Sequence, residues 1–342
     1  MKKFYFLFKY ASYRVLLKFP MTNKSKCLAS ASKYYGKLKS FSSKRKILNM
    51  PIEDNAVLIA QFESMGDIIA CEPIIRKIKE EEPNRPVYWI IAKQYGDIVR
   101  YHPNLKGIIE INSVEQWIEL KKRLPKTVRI IDLHFHRRKY ILDGGKVYLN
   151  DNRDDINEEN YFSMGSSLLE IFSKTAGLEP INTAPVFYRR PKIQQSKWVG
   201  GKYIVIHTVS AMWRKDYLVE KWEELIEKLS VIAKDIKIVE VGLLPSIKKK
   251  FPNYIDKTNL PSIQDTADIV AGSCGFIGID SSIAHLANAL NIKGVVLLGG
   301  SMPFSGNYQK GIMSKIIYPK DGIVRNISVE TIINALKELQ IL

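Results

Sequence analysis

The chain has 342 residues, enough for two domains of ordinary size, and its 46% hydrophobic and 25% charged residues are the profile of a globular protein. Its three cysteines, Cys27, Cys71 and Cys274, form neither a metal-ligand spacing nor an even-numbered disulfide set, which points to a reducing compartment. The net charge of +17 is concentrated: residues 1–50 hold thirteen Lys and Arg and no Asp or Glu, and the other 292 residues carry only +4. A nucleic-acid-binding fold is therefore the weakest class, because the charge outside the first fifty residues is nearly balanced.

That basic N-terminal arm interleaves aromatics with cations, as in MKKFYFLFKYASYRVLLKFP. Its longest apolar run, Phe4–Phe8, is far short of the roughly 20 residues of a membrane span. Lys9, Arg14 and Lys18 interrupt any signal-peptide core. Three readings stay open: an anionic membrane surface, a nucleic acid, or a solvated tail or helix packed on the domain. The cation–aromatic mixture favours the membrane surface.

From Pro51 onward strands and helices alternate. Val57–Ala60 predicts a buried strand, followed by a helix to about Glu82 that either begins at Pro73 or is kinked there. Val87–Ala92, Gly107–Ile111 and Val128–Leu133 predict three more strands, with a short helix ending near His102-Pro103 and another over Val114–Leu124. The turn His134-Phe135-His136-Arg137-Arg138 follows the fourth strand. Residues 143–160, with Gly144-Gly145 and the acidic run Asp151–Glu159, predict a loop, and Tyr161–Ala176 a helix. Pro180, Pro185 and Pro191 mark the best linker, near residues 180–195.

The alternation then resumes. Strands are expected at Tyr203–His207, Ile236–Val241, Phe276–Ile279 and Val295–Leu298. Helices are expected at Leu218–Lys234, Ile263–Gly272, Ser282–Leu290 and Val329–Leu339, the first with Trp222, Leu225, Ile226 and Leu229 on one face. The expected architecture is α/β: the basic arm (1–50), a domain over 51–185 and a second over 186–342, each a parallel sheet with helices on both faces.

Several signatures are missing. No G-x-G-x-x-G follows the first strand, Gly144-Gly145-Lys146 lacks the spacing of a P-loop, and H-E-x-x-H, C-x-x-C and Asp-x-Asp are absent. A nucleotide diphosphate bound here would be neutralised by the protein itself.

Two stretches carry chemistry. Ser64-Met65-Gly66-Asp67 links the first strand to a helix, and Asp67 is either an N-cap or a functional carboxylate at the sheet's carboxyl edge. Asp280-Ser281-Ser282-Ile283-Ala284-His285 does the same after a later strand. There Ser281 and Ser282 are caps or part of an anion cradle, and His285 is a packed core residue or a contact. His207-Thr208-Val209-Ser210 leads into Arg214-Lys215, a solvated pair or a phosphate contact.

SMGD after strand one, the H-x-x-S…K loop before a Trp-bearing helix, and D-S-S-x-x-H-L-A-x-A-L followed by V-V-L-L-G-G together resemble glycosyltransferase family 9. This is the heptosyltransferase family of lipopolysaccharide core assembly, and the resemblance runs from about Ala56 to the C-terminus. It implies a GT-B fold of two facing Rossmann-like domains, the first binding the acceptor and the second the nucleotide sugar. It also implies inverting, metal-independent transfer without a cofactor, in agreement with the absent Asp-x-Asp. By resemblance Asp67 is the general base, Ser64, Met65 and Gly66 beside it bind substrate, and Lys215 is the diphosphate-neutralising lysine. Asp280, Ser281, Ser282 and His285 would hold donor sugar and diphosphate, and Thr208 and Ser210 would line the phosphate side. His134, His136 and Arg137 are the acceptor-binding candidates in the first domain, against an ordinary exposed turn.

Three positions depart from the family pattern. Ser282 stands for the usual glycine, Tyr217-Leu218 for Trp-Pro, and Gly242-Leu243-Leu244-Pro245 has no acidic residue to meet a ribose. They bear on the donor, for which ADP-heptose is the leading expectation and another nucleotide sugar the alternative. A glycolipid or oligosaccharide acceptor and a cytoplasmic location peripheral to the inner membrane complete the expectation. The competing classes are a GT-B-shaped nucleotide-sugar epimerase and a degenerate, non-catalytic glycan- or nucleotide-binding protein.

Overall fold

The computed structural model describes residues 51–140, 142, 146–150, 155–157, 159–165, 167–191, 199–210, 215–299 and 313–342. The basic arm, Gly144-Gly145, most of the acidic run after Leu149, Arg214 and Gly300 lie outside the described residues. In chain order the elements are β1 (Val57–Ala60), α1 (Met65–Ala70), α2 (Pro73–Glu81), β2 (Val87–Ala92), β3 (Gly107–Ile111), α3 (Val114–Lys121) and β4 (Arg129–Asp132). Next come β5 (Arg138–Tyr140), β6 (Lys146–Tyr148), α4 (Leu168–Thr175), β7 (Tyr203–His207), α5 (Val219–Ile232), β8 (Lys237–Glu240) and β9 (Tyr254–Asp256). The chain ends with α6 (Ile263–Ala271), β10 (Gly275–Ile279), α7 (Ser282–Ala289), β11 (Gly294–Leu297), β12 (Ser314–Ile317) and α8 (Val329–Glu338).

Packing divides the chain into two compact units. Among the described residues, the first takes those of 51–63, Asn84–Gly96 and 105–157, and the second takes Ser64–Pro83, Asp97–Asn104 and those of 159–342. The helices that follow β1 therefore pack with the later unit, although sequence order places them in the first half.

The first unit is a four-stranded parallel sheet in the order β3-β2-β1-β4, with an antiparallel β5-β6 hairpin. β1 and β2 are buried along their whole lengths, as continuous apolar strands of a parallel sheet are. Phe62, Ile90, Ile111 and Trp117 form part of its core.

The second unit is a six-stranded parallel sheet in the order β12-β11-β10-β7-β8-β9. The expected face of α5 is buried: Trp222, Leu225, Ile226 and Leu229 join Ile206, Ile279 and Leu297 in one core. Both sheets reverse their winding once, beside β1 and β4 in the first and beside β7 and β10 in the second. Open α/β sheets bind ligands at the carboxyl ends of strands flanking such a switch point.

Three expectations are refined. The single helix after β1 is two, because Pro73 starts α2 at its first position. The helix after β2 is a 3-10 turn over Lys93–Ile98, and α4 begins only at Leu168, after a 3-10 turn at Tyr161–Ser163.

Candidate functional site

The turn after β1 is tight. Ser64, at the N-cap of α1, adopts a left-handed conformation with φ 71, which costs a non-glycine residue energy and is often retained at functional sites. Asp67 is the third residue of α1, not its cap, so its carboxylate sits in the first turn, where the helix dipole favours negative charge.

Behind it, Glu72 fixes the start of α2. Glu72 is buried, accepts Arg76 Nε at 2.9 Å and Val186 N at 2.8 Å, and meets His102 Nε2 at 2.9 Å. His102 Nδ1 accepts from Asn104 N, so Nε2 carries the proton and donates to Glu72. Nothing in the sequence spacing of Glu72, His102 and Val186 signals this node. The following linker is stitched to α6, with Arg190 reaching Asp265 at 2.6 Å and Asp268 at 2.7 Å.

At the β10–α7 turn, Ser281 caps α7 by accepting from Ala284 N, and Ser282 is the first helical residue. Lys215 Nζ lies 2.7 Å from Asp280 Oδ2, in a pair that stays partly open to solvent. Ser210 N donates to Asp216 Oδ1 at 2.8 Å. His285 is buried, and burial holds its imidazole below the ordinary value while the Asp280 and Asp67 carboxylates pull the other way.

The SMGD and D-S-S-x-x-H segments meet. α1 packs on α7, and a Cβ placed on Gly66 would lie 2.9 Å from His285 Cδ2 and 3.5 Å from the Ser282 Cα. Only glycine fits there without displacing the histidine, which is why Gly66 is required. Asp67, Asp280, Lys215 and His285 thus belong to one compact unit and one neighbourhood.

Two predicted contacts are taken up by the fold. Thr208 is buried and its hydroxyl donates to Glu240 Oε1 at 2.5 Å, so this side chain braces strand ends. Glu240, a fully buried carboxylate at the end of β8, also accepts Ser246 N, the Ser246 hydroxyl and the Tyr254 hydroxyl. His134 is likewise not an exposed turn residue. Its Nδ1 donates to Asp132 Oδ1 at 2.6 Å and its Nε2 accepts from Phe62 N at 3.1 Å, which leaves neither nitrogen for an acceptor. Burial keeps His134 neutral. Asp132 stays ionised despite its burial, because His134, Lys121 and the Tyr148 hydroxyl surround it. His136 donates through Nδ1 to Asn150 O at 3.1 Å, and Arg137 is exposed in a left-handed conformation. Among the described residues no group of three or more His, Cys, Asp or Glu is placed to hold a metal ion.

Two parallel α/β units, each with its own switch point, make a GT-B fold, shared with solved glycosyltransferase structures. Solved structures similar to the chain include a family 9 glycosyltransferase and heptosyltransferases. One from Veillonella parvula superposes with a TM-score of 0.65 at 17% identity, over 85% of this chain and 98% of that one. Escherichia coli heptosyltransferase WaaC with ADP gives 0.57 at 16% identity, over 83% and 99%. The iron-containing dodecameric glycosyltransferase TibC from enterotoxigenic E. coli gives 0.61 at 14% identity, over 85% and 80%. No protein-family model and no curated protein matches the sequence.

Proposed function

We propose that the protein is an inverting, metal-independent glycosyltransferase that moves a sugar, with heptose the leading choice, from a nucleotide-diphosphate donor to a lipopolysaccharide core or similar envelope glycan. The observation that carries this is the close approach of Gly66 to His285 and Ser282. It sets a first-turn carboxylate beside the strand–turn–helix that offers N–H groups to an anion.

In this mechanism the Asp67 carboxylate takes the proton from an acceptor hydroxyl. The acceptor oxygen attacks the anomeric carbon from the face opposite the diphosphate. The sugar–oxygen bond breaks, and its electron pair leaves with the nucleotide diphosphate. Lys215 and the N-terminus of α7 meet the charge that develops. The Lys215–Asp280 pair supports this role, since it holds the ammonium at the mouth of the β10–α7 turn. His285, neutral through burial, acts as packing between the two turns and not as a proton carrier.

ADP in the WaaC structure and ADP-D-beta-D-heptose in a TibC complex support an adenine-nucleotide heptose as donor. The reading places the protein on the cytoplasmic face of the inner membrane, held by the basic arm, with the first unit receiving the acceptor.

The test has two parts. Thermal stabilisation by ADP, UDP, GDP and ADP-heptose, with and without magnesium, identifies the donor by mass action. Asp67→Asn should then lower transfer about 10²–10⁴-fold while leaving that stabilisation intact. Turnover near the starting rate in Asp67→Asn would exclude it as the base.

A further inference from the structure

The second unit winds β7, β8 and β9 to one side of its switch point and β10, β11 and β12 to the other. In a doubly wound nucleotide site the phosphates lie at the first strand–helix turn. The ribose lies beside them, its hydroxyls held by a carboxylate further along the chain. Here the strand that follows the first turn is β8, and its end departs from that plan. Glu240, the last residue of β8, is fully buried and already spent. It accepts from the Thr208, Ser246 and Tyr254 hydroxyls and from the Ser246 amide. Beyond it, residues 241–251 contain no Asp or Glu. One strand further out, Asp256 turns Oδ1 onto the Thr258 amide at 2.8 Å.

What the β8 end offers instead is apolar. Leu243 at 86% and Leu244 at 75% are the two most exposed large apolar side chains among the described residues. Adjacent leucines so fully in water are not ordinary surface scatter. Nor does the loop hang free. Gly242, at φ 148, turns the chain where a Cβ would press on the His207 ring at 3.2 Å, and its carbonyl accepts from Asn259 N at 2.8 Å. The amides of Lys248 and Lys249 both donate to Glu223 Oε1 at 3.0 Å, and Ile247 and Phe251 pack on the core. At the neighbouring strand end Val209 is exposed as well. It stands three residues past Ile206, as Leu243 stands three past Glu240, the residue paired with Ile206. Two adjacent strand ends thus present apolar side chains at one sheet edge, held in place before any ligand arrives. Such an edge fits the flat apolar face of a nucleobase and gives a ribose hydroxyl no charged partner.

We propose that Leu243, Leu244 and Val209 hold the nucleobase of the donor by apolar contact and that no carboxylate holds its ribose. The site then binds ribonucleoside and dideoxyribonucleoside diphosphates alike. This inference rests on the transferase reading and adds to it which part of the nucleotide is recognised.

The experiment is calorimetry on the full chain with ADP, GDP and UDP, each beside its 2′,3′-dideoxy counterpart, and with inorganic pyrophosphate. The dideoxy form of whichever nucleotide binds should stay within about twofold of its parent, whereas losing a hydrogen bond to a carboxylate would weaken it about tenfold or more. Leu243→Ser with Leu244→Ser should weaken the nucleotide about tenfold or more, with pyrophosphate affinity and the ligand-free thermal midpoint unchanged. A tenfold loss on removing the hydroxyls, or full nucleotide affinity in the double variant, would overturn the proposal and leave the transferase reading standing. An equal loss for pyrophosphate would make the leucines structural and overturn it too. If no nucleoside diphosphate binds, both readings fall together.

Discussion

Gly66→Ala decides whether the two turns are held as closely as the structure places them. Gly66 is the second residue of α1 and has ordinary helical backbone, so in open space alanine would stabilise the protein by about 1 kcal/mol through helix propensity. The new methyl group instead falls 2.9 Å from His285 Cδ2 and 3.5 Å from both His285 Nε2 and the Ser282 Cα. The ring is buried, so it can give way only by shifting its packed neighbours, and overpacking costs about 1–3 kcal/mol. The expected net effect is a loss of about 0–2 kcal/mol, with a larger loss of transfer because α1 and α7 are pushed apart. Denaturant midpoints of Gly66→Ala, His285→Ala and the double variant measure it. The double variant should recover part of the loss, with a coupling of about 0.5–3 kcal/mol. Stabilisation by the single variant, or strict additivity of the two, would refute the close approach and with it the assembled site.

Three buried histidines, His134, His207 and His285, are held below their ordinary values by burial. Each takes up a proton on unfolding once the pH falls under about 6.5, so stability is full above that pH and lost below it, by up to about 1.4 kcal/mol per pH unit for each. Urea unfolding at pH 7.5, 6.5 and 5.5 should show this slope; a flat profile would mean that the rings are already charged in the folded protein. Lys215→Ala should lower kcat by about 10²–10³ and weaken diphosphate binding, which steady-state kinetics with varied donor resolves. Glu240→Gln should cost about 2–3 kcal/mol in denaturation, because an amide cannot accept the four donors that the carboxylate satisfies.

The strand–turn–helix units were legible because they are local. Val57–Ala60 and Gly275–Ile279 are apolar runs broken by polar turns, and Ser64–Asp67 and Asp280–His285 follow them directly. The short strands β5, β6, β9 and β12 were not legible, since three or four partly polar residues carry no period. Partners across long separations were equally hidden. His134 lies in a basic sequence, yet it is neutral and interior because Asp132, two residues earlier, faces the same side at the end of β4. Aspartate and histidine two apart at a strand end was the available signal. Thr208 looked like a ligand contact until Glu240, thirty-two residues on, claimed its proton. Gly66 was placed in the right motif, but its reason, the His285 ring, lies more than two hundred residues away.

That separation sets a clock on synthesis. At about 5–20 residues per second, some ten to forty seconds pass between the emergence of α1 and that of α7, against which it packs. Until then Ile68 and Ile69, both buried in the finished protein, have no completed partner surface. The nascent chain carries Asp67 on a helix whose partner surface is complete only once residues up to Ala289 of the 342 have been made. A chain cut short before α7 would leave Ile68 and Ile69 without that packing surface, a natural client for chaperones and proteases.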